Sequence, residues 1–181
     1  MTSLAIHKEA GGGAPILSTS ESGRIVLELG EVGVRFERWK ALVVLAADAG
    51  QDEILAAYHA DIARLRRERG YKSQDVVRMR PDHPDRAAAR AKFLAEHIHE
   101  DDEVRFFVEG SGTFFLHLGD RVYEILCEKD DLLSVPAGTK HWFDMGERPL
   151  FAAIRLFDRP EGWVAKFTGD PIASRFVNAP A

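Results

Sequence analysis

The sequence predicts a mainly β fold, a small sandwich or barrel that carries helices from its N-terminal half. Three observations predict it. From residue 104 to residue 157, short apolar runs recur at regular spacing, with turn residues between them and no helical pattern. Ahead of them, Ile54, Leu55, Tyr58, Ile62 and Leu65 recur at helical spacing, a stripe suited to packing on a sheet. Finally, His97-Ile98-His99-Glu100-Asp101-Asp102-Glu103 and Pro136-Ala137-Gly138-Thr139-Lys140-His141 each stand beside a strand-like run. A small barrel can bring the imidazoles of two such blocks together as metal ligands.

The 181 residues suit one domain around a single core. A hydrophobic content of 45% with 29% charged residues excludes wholesale disorder. The net charge of -5 gives nucleic acid no electrostatic hold, and Arg64, Arg66, Arg67 and Arg69 read as the solvated face of a helix. Cys127 is the only cysteine, which excludes an internal disulfide; it reads as a small core residue of a protein in a reducing cytosol. The first twenty residues lack the apolar core of a signal peptide, and no run approaches the roughly 18 residues of a membrane span. The expectation is a cytoplasmic protein that partners neither nucleic acid nor membrane.

In chain order, Ser3 to Lys8 alternates weakly and predicts an edge strand, followed by an irregular Gly11–Pro15 connection. Ser22 to Leu29 predicts a short helix capped by Ser20 or Ser22 and stopped at Gly30. Val34 and Phe36 alternate with charges in a short strand running up to Trp39. One helix is expected from Asp52 to Gly70, then a short strand over Val76–Arg80. A second helix is expected from His83 or Pro84 to about Ala91, with Asp82 as cap and Pro84 in its first turn. Phe93-Leu94 would lead a strand into His97. Strands then follow at Val104–Val108, Thr113–Leu118, Val122–Leu126, Leu132–Val135, His141–Phe143 and Leu150–Phe157, with turns at Glu109–Gly112 and Gly119-Asp120.

Alternate residues of a strand share a face, so His97, His99, Asp101, Glu103, Arg105 and Phe107 have one parity. Parity sets aside Glu100 and Asp102 and leaves Asp101 beside Glu103. On the later strand His141 and Phe143 share a face, and the Pro136–Gly138 turn aims His141 back at the first pair. His7, His59 and His83 read as ordinary core or surface residues. His117 sits in a strand that lines the same barrel but lacks a paired motif.

The spacing His97-x-His99-x3-Glu103-x6-Gly110 resembles the first cupin motif, and Pro136-x-Gly138-x2-His141 resembles the second. Two departures occur: Asp130 stands where a glycine is usual, and Met145 where an asparagine is. The resemblance is closest to the acireductone dioxygenase family of cupins, through Gly33–Lys40, His97–Phe106, Val135–Asp144, Ile154–Phe157 and Gly162-Trp163. It implies a cupin-type β-barrel (double-stranded β-helix or jelly roll) as a single domain over 1–181. Residues 1–96 would pack on the barrel, 97–157 would form its metal-binding core, and 158–181 a C-terminal segment.

The family spacing selects Glu103 over Asp101 and implies one metal ion held by His97, His99, Glu103 and His141, with two adjacent positions of an octahedron open. Three imidazoles and a carboxylate suit Fe2+ or Ni2+ rather than a closed structural zinc site. The implied substrates are O2 and an anionic enediol ketone, 1,2-dihydroxy-3-keto-5-methylthiopentene. Family members with iron give 2-keto-4-methylthiobutyrate and formate; with nickel they give methylthiopropionate, formate and CO. Arg105 shares the inward parity, which would bring it near the metal beside Glu103; it would either form a salt bridge with a barrel carboxylate or, the favoured account, pair with the substrate anion. Phe93, Phe107, Phe143 and Trp163 are expected to line an apolar pocket, and Arg155 is a second inward arginine. A monomer is expected, and the rival reading is another cupin dioxygenase or isomerase acting on a different small molecule.

Overall fold

The computed structural model describes residues 1–159 and 164–176. In chain order its strands and helices are β1 (Ser3–Lys8), β2 (Leu17–Thr19), α1 (Ser22–Glu31), β3 (Arg35–Arg38), α2 (Gln51–Ala57), α3 (His59–Arg69), β4 (Ser73–Met79) and α4 (Arg86–Phe93). There follow β5 (His97–Ile98), β6 (Glu103–Leu118), β7 (Arg121–Glu128), β8 (Asp131–Val135), β9 (Lys140–Asp144), β10 (Phe151–Phe157), β11 (Lys166–Phe167) and a 3-10 turn (Pro171–Arg175).

One long strand organises the molecule. The first half of β6 lies between β8 and β10 in a layer ordered β3-β8-β6-β10-β4, and its second half lies between β9 and β7 in a layer ordered β11-β5-β9-β6-β7-β1-β2. The expected turn at Glu109–Gly112 is therefore a bend within one strand. Gly110 makes the bend at φ 60°, where a Cβ would lie 1.7 Å from the Leu150 carbonyl oxygen. Beside it the register with β10 shifts between Ala152 and Ala153, as a β-bulge does. The two layers face each other around Phe107, Phe114, Leu116, Tyr123, Ile125, Leu133, Phe143, Phe151 and Ala153. This is the expected jelly roll, although its strands do not pair into a closed ring.

Helices cover the outer face of the β8-β6-β10 layer. Ile54, Tyr58, Ile62 and Leu65 pack on Val104, Phe106, Ile154 and Leu156, each worth roughly 1.5–3 kcal/mol when fully buried. The stripe was expected on one helix, but the backbone breaks at Tyr58 (φ -109°, ψ 21°). There the ring stands edge-on to Phe106 at 5.6 Å, while the hydroxyl reaches the Val43 carbonyl at 3.3 Å. Gly70 ends α3 in the left-handed conformation, as its position predicts.

Several expected boundaries move. β1 is not an edge strand, because β2 pairs with its free side. α1 starts after Glu21 without a side-chain cap from either serine. α4 runs from Arg86 to Phe93, later than expected, because His83 already accepts from the Asp85 and Arg86 amides in the preceding turn. Phe93 consequently ends a helix and does not begin a strand. Neither β11 nor the 3-10 turn was expected; Ile172, Ala173 and Phe176 pack on Phe115, Val122 and Trp142 across the outer face of the other layer.

Candidate metal centre

β5 and β9 set His97 directly opposite His141, His99 follows β5, and Glu103 opens β6. The ring centroids lie 4.4 Å apart for His97 and His141, 4.9 Å for His97 and His99, and 5.0 Å for His99 and His141. One nitrogen from each ring lies within 4.8 Å of the others. All four side chains are buried.

Each Nδ1 meets a backbone carbonyl: Ala95 at 2.7 Å for His97, Val164 at 3.3 Å for His99, and Thr139 at 2.8 Å for His141. A carbonyl only accepts, so each Nδ1 carries the hydrogen and each Nε2 presents a lone pair. Glu103 Oε2 lies 3.0 Å from His141 Nε2 and 3.5 Å from His99 Nε2. Neither Glu103 Oε2 nor His141 Nε2 has a hydrogen-bond partner among the described residues. Electron pairs that converge in a buried site repel one another unless a cation lies among them, so this donor set fits a divalent metal ion.

Protonation agrees with that fit. Burial, reinforced by the neighbouring His141, lowers the His97 pKa to about 4, which keeps the ring neutral and able to ligate. Burial alone would raise the Glu103 pKa; the adjacent Arg105 guanidinium opposes it, and the carboxyl is held well below the usual range.

Arg105 is 2% exposed and points inward beside Glu103. Its Nε donates to Glu103 Oε1 at 2.5 Å, and its guanidinium lies 4.8 Å from the Phe114 ring centroid and 5.0 Å from that of Phe143. Burial lowers its pKa and the repulsion from Arg155 adds to that, while Glu103 opposes. Its Nη1 is buried with no partner among the described residues, so the site holds a cation with a donor to spare.

Arg155 pairs with Arg105 across β10 and β6, which puts it on the same inward face, as its parity predicts. There Asp75 on β4 accepts from it at 2.7 and 2.6 Å. Phe107 and Phe143 are buried with their ring centroids 6.4 Å apart, and Phe93 stands edge-on to Phe143 at 6.0 Å. Trp163 lies outside the described residues. The acidic turn is tied down peripherally: Glu100 pairs with Lys166, Asp101 with Arg159 at 3.1 Å, and Asp102 accepts from the Ala137 amide at 2.9 Å. His117 points to the opposite face of its strand, away from the metal centre, since its neighbour Leu116 pairs with His141.

Sequence reasoning missed the three carbonyls that orient the imidazoles, because a backbone carbonyl leaves no trace in a sequence. It also missed Asp75, whose signal was an acid sharing the inward parity of Val77 and Met79.

The model of the ARD/ARD' family matches residues 5–165. The chain is 58% identical over 176 residues to the acireductone dioxygenase of Pseudomonas aeruginosa (strain UCBPP-PA14), covering 97% of each chain. It is 56% identical over 181 residues to that of Synechococcus sp. (strain ATCC 27144 / PCC 6301 / SAUG 1402/1), covering 99% of this chain and 100% of the relative. Among solved structures it is similar to acireductone dioxygenase from Bacillus anthracis with a cadmium ion in its active centre. That match has a TM-score of 0.78 and 31% identity, and covers 92% of this chain and 98% of the other. With a buried set of three histidines and a glutamate on a jelly roll, and with relatives matching nearly end to end, the chain belongs to the acireductone dioxygenase family.

Proposed function

We propose that this protein cleaves the acireductone 1,2-dihydroxy-3-keto-5-methylthiopentene with O2 in methionine salvage, using one Fe2+ or Ni2+ ion per chain. One observation carries the reading: three Nε2 lone pairs and a depressed-pKa carboxylate converge beside a buried arginine that has a free donor. His97, His99, Glu103 and His141 would hold the ion, which supplies Lewis-acid and template chemistry when bound. With iron the products are 2-keto-4-methylthiobutyrate and formate; with nickel they are methylthiopropionate, formate and CO.

The remaining work falls to the chain. Arg105 Nη1 donates to an enediolate oxygen and stabilises negative charge as it shifts during the reaction. Glu103 Oε1 fixes the guanidinium at Nε, and it rests against the adjacent Phe114 and Phe143 rings, whose centroids are 4.9 Å apart, so that it is already oriented when substrate arrives. Phe107, Phe143 and Phe93 offer apolar surface to the methylthio tail. Arg155 stands on the same face but is neutralised by its bidentate pair with Asp75, which leaves Arg105 as the site's available cation.

The reading extends to a cytoplasmic monomer. For the location it is supported by the lone buried thiol at Cys127, which suits a reducing compartment. The test is to mix metal-loaded protein with acireductone under air and follow loss of the enediol. Rapid loss that depends on both metal and O2 is expected. A metal-replete protein that leaves acireductone intact while consuming another enediol would overturn the substrate assignment.

A further inference from the structure

Glu96 is a buried carboxylate that the metal centre does not use. Its side chain is fully buried on the side of the sheet opposite His97, where Oε2 lies 2.7 Å from His117 Nδ1 and Oε1 accepts from the Thr168 hydroxyl at 2.7 Å. The Glu96 carbonyl also accepts from the Thr168 amide at 3.0 Å. A carboxylate buried this completely is costly unless hydrogen bonds compensate it, and here both oxygens are engaged.

The position of this cluster gives it a consequence at the metal centre. β5 is two residues long and is joined to β9 by the single pair His97 and His141. Its other neighbour, β11, is also two residues long, pairs with both His97 and Ile98, and has both of its own residues exposed. Two residues before β11, Val164 supplies the carbonyl that holds His99 Nδ1. β11 thus flanks one histidine and leads from the group that orients another, yet its own side chains hold it weakly: the Phe167 ring stands edge-on to His97 at 5.8 Å but is 52% exposed. The exposed Lys166–Glu100 pair on the same strand contributes little. Beyond β11, Thr168 Oγ1 accepts from the Asp170 amide at 3.2 Å, ahead of the 3-10 turn whose Ile172 and Ala173 pack, with Phe176, on Phe115 and Trp142.

We propose that Glu96, His117 and Thr168 form a latch that fixes β11 against β5 and so positions His97 and His99 for the metal. Thr168 is a positioning residue, not a ligand, and His117 anchors the latch from β6. This rests on the metal-centre reading above.

The test uses Thr168→Val, which removes only the hydroxyl from an exposed position, beside Thr168→Ser, which keeps it. Wild type and both variants are loaded with cobalt(II), and the visible ligand-field spectrum and the rate of cobalt release to EDTA are measured with the thermal midpoint of the metal-free protein. Thr168→Val is expected to release cobalt about tenfold faster or more and to show an altered spectrum, with the metal-free midpoint lowered by loss of a bond to the buried Glu96 carboxylate and Thr168→Ser resembling wild type. A Thr168→Val protein with the wild-type spectrum and release rate would overturn the latch, whether or not its midpoint falls. Wild-type protein that takes up no cobalt would instead overturn the metal-centre reading, and the latch with it.

Discussion

His141 joins the two sequence blocks, since its ring meets His97 across the sheet and Glu103 Oε2 at 3.0 Å. His141→Ala should cut metal content, read by mass spectrometry, to a small fraction of one per chain and abolish enediol loss; a metal-replete, active variant would contradict the ligand assignment. Arg105→Ala should keep the metal and lower kcat about 100- to 1,000-fold, the effect of losing one well-placed donor to a developing anion. Steady-state kinetics on metal-matched samples would check it, and unchanged turnover would make Arg105 structural. The metal-free protein should also lose stability in acid. With the folded His97 pKa at about 4 and an unfolded value near 6.5, the unfolded chain binds a proton through that window that the folded chain does not. Stability therefore falls as pH drops from about 6.5 to 4, by about 3 kcal/mol, and the depressed Glu103 pKa adds the same sign below its ordinary range. Denaturant midpoints against pH should show the slope in wild type and a shallower one in His97→Gln; parallel profiles would contradict it. These residues were legible because strand parity and short spacing are local properties. The partners that orient them were not, since Val164 lies 65 positions from His99 and Asp75 lies 80 positions from Arg155.

Among the elements, β6 shows what local composition misreads. Glu109-Gly110-Ser111-Gly112 has the residues of a hairpin turn, yet both flanking runs remain in one strand, because each half finds its own neighbours in a different layer. Gly110 is needed there for its positive φ and for the close approach of Leu150. Gly110→Ala should destabilise the protein by about 2–4 kcal/mol, combining backbone strain with a clash that only the backbone can relieve. Chemical denaturation would read this, and a variant within about 0.5 kcal/mol of wild type would contradict the account of the bend. Asp130 explains one departure from the cupin pattern. It adopts φ 85°, the conformation that makes glycine usual at this position, and its carboxylate accepts from the Ala41 amide at 2.8 Å. Aspartate tolerates that region better than most residues because its short polar side chain bonds locally. β2, β11 and the break at Tyr58 were not legible: the strands are two or three residues long, and the break answers packing on Phe106 rather than any local signal.

At the scale of the molecule, the jelly roll stacks two layers so that their inner faces meet, and the metal centre occupies the part of that interior where β5, β9 and the start of β6 converge. Helices α2 and α3 cover one outer face and the 3-10 turn the other, which keeps the donor set dry enough for its lone pairs and charges to act strongly. The mainly β class and the helical stripe were legible because hydrophobic period reports directly on which face is buried. The open ends of the layers were not, since pairing across the fold depends on lengths that no single segment carries. One polypeptide holding one divalent ion would oxidatively cleave acireductone. Anaerobic reconstitution of the metal-free protein with Fe2+ or Ni2+, followed by product analysis after acireductone and O2 are added, tests ligands, substrate and reaction together. One ion per chain is expected, with 2-keto-4-methylthiobutyrate and formate from the iron form, and methylthiopropionate, formate and CO from the nickel form. A stoichiometrically loaded protein of either kind that yields none of these would contradict that reaction.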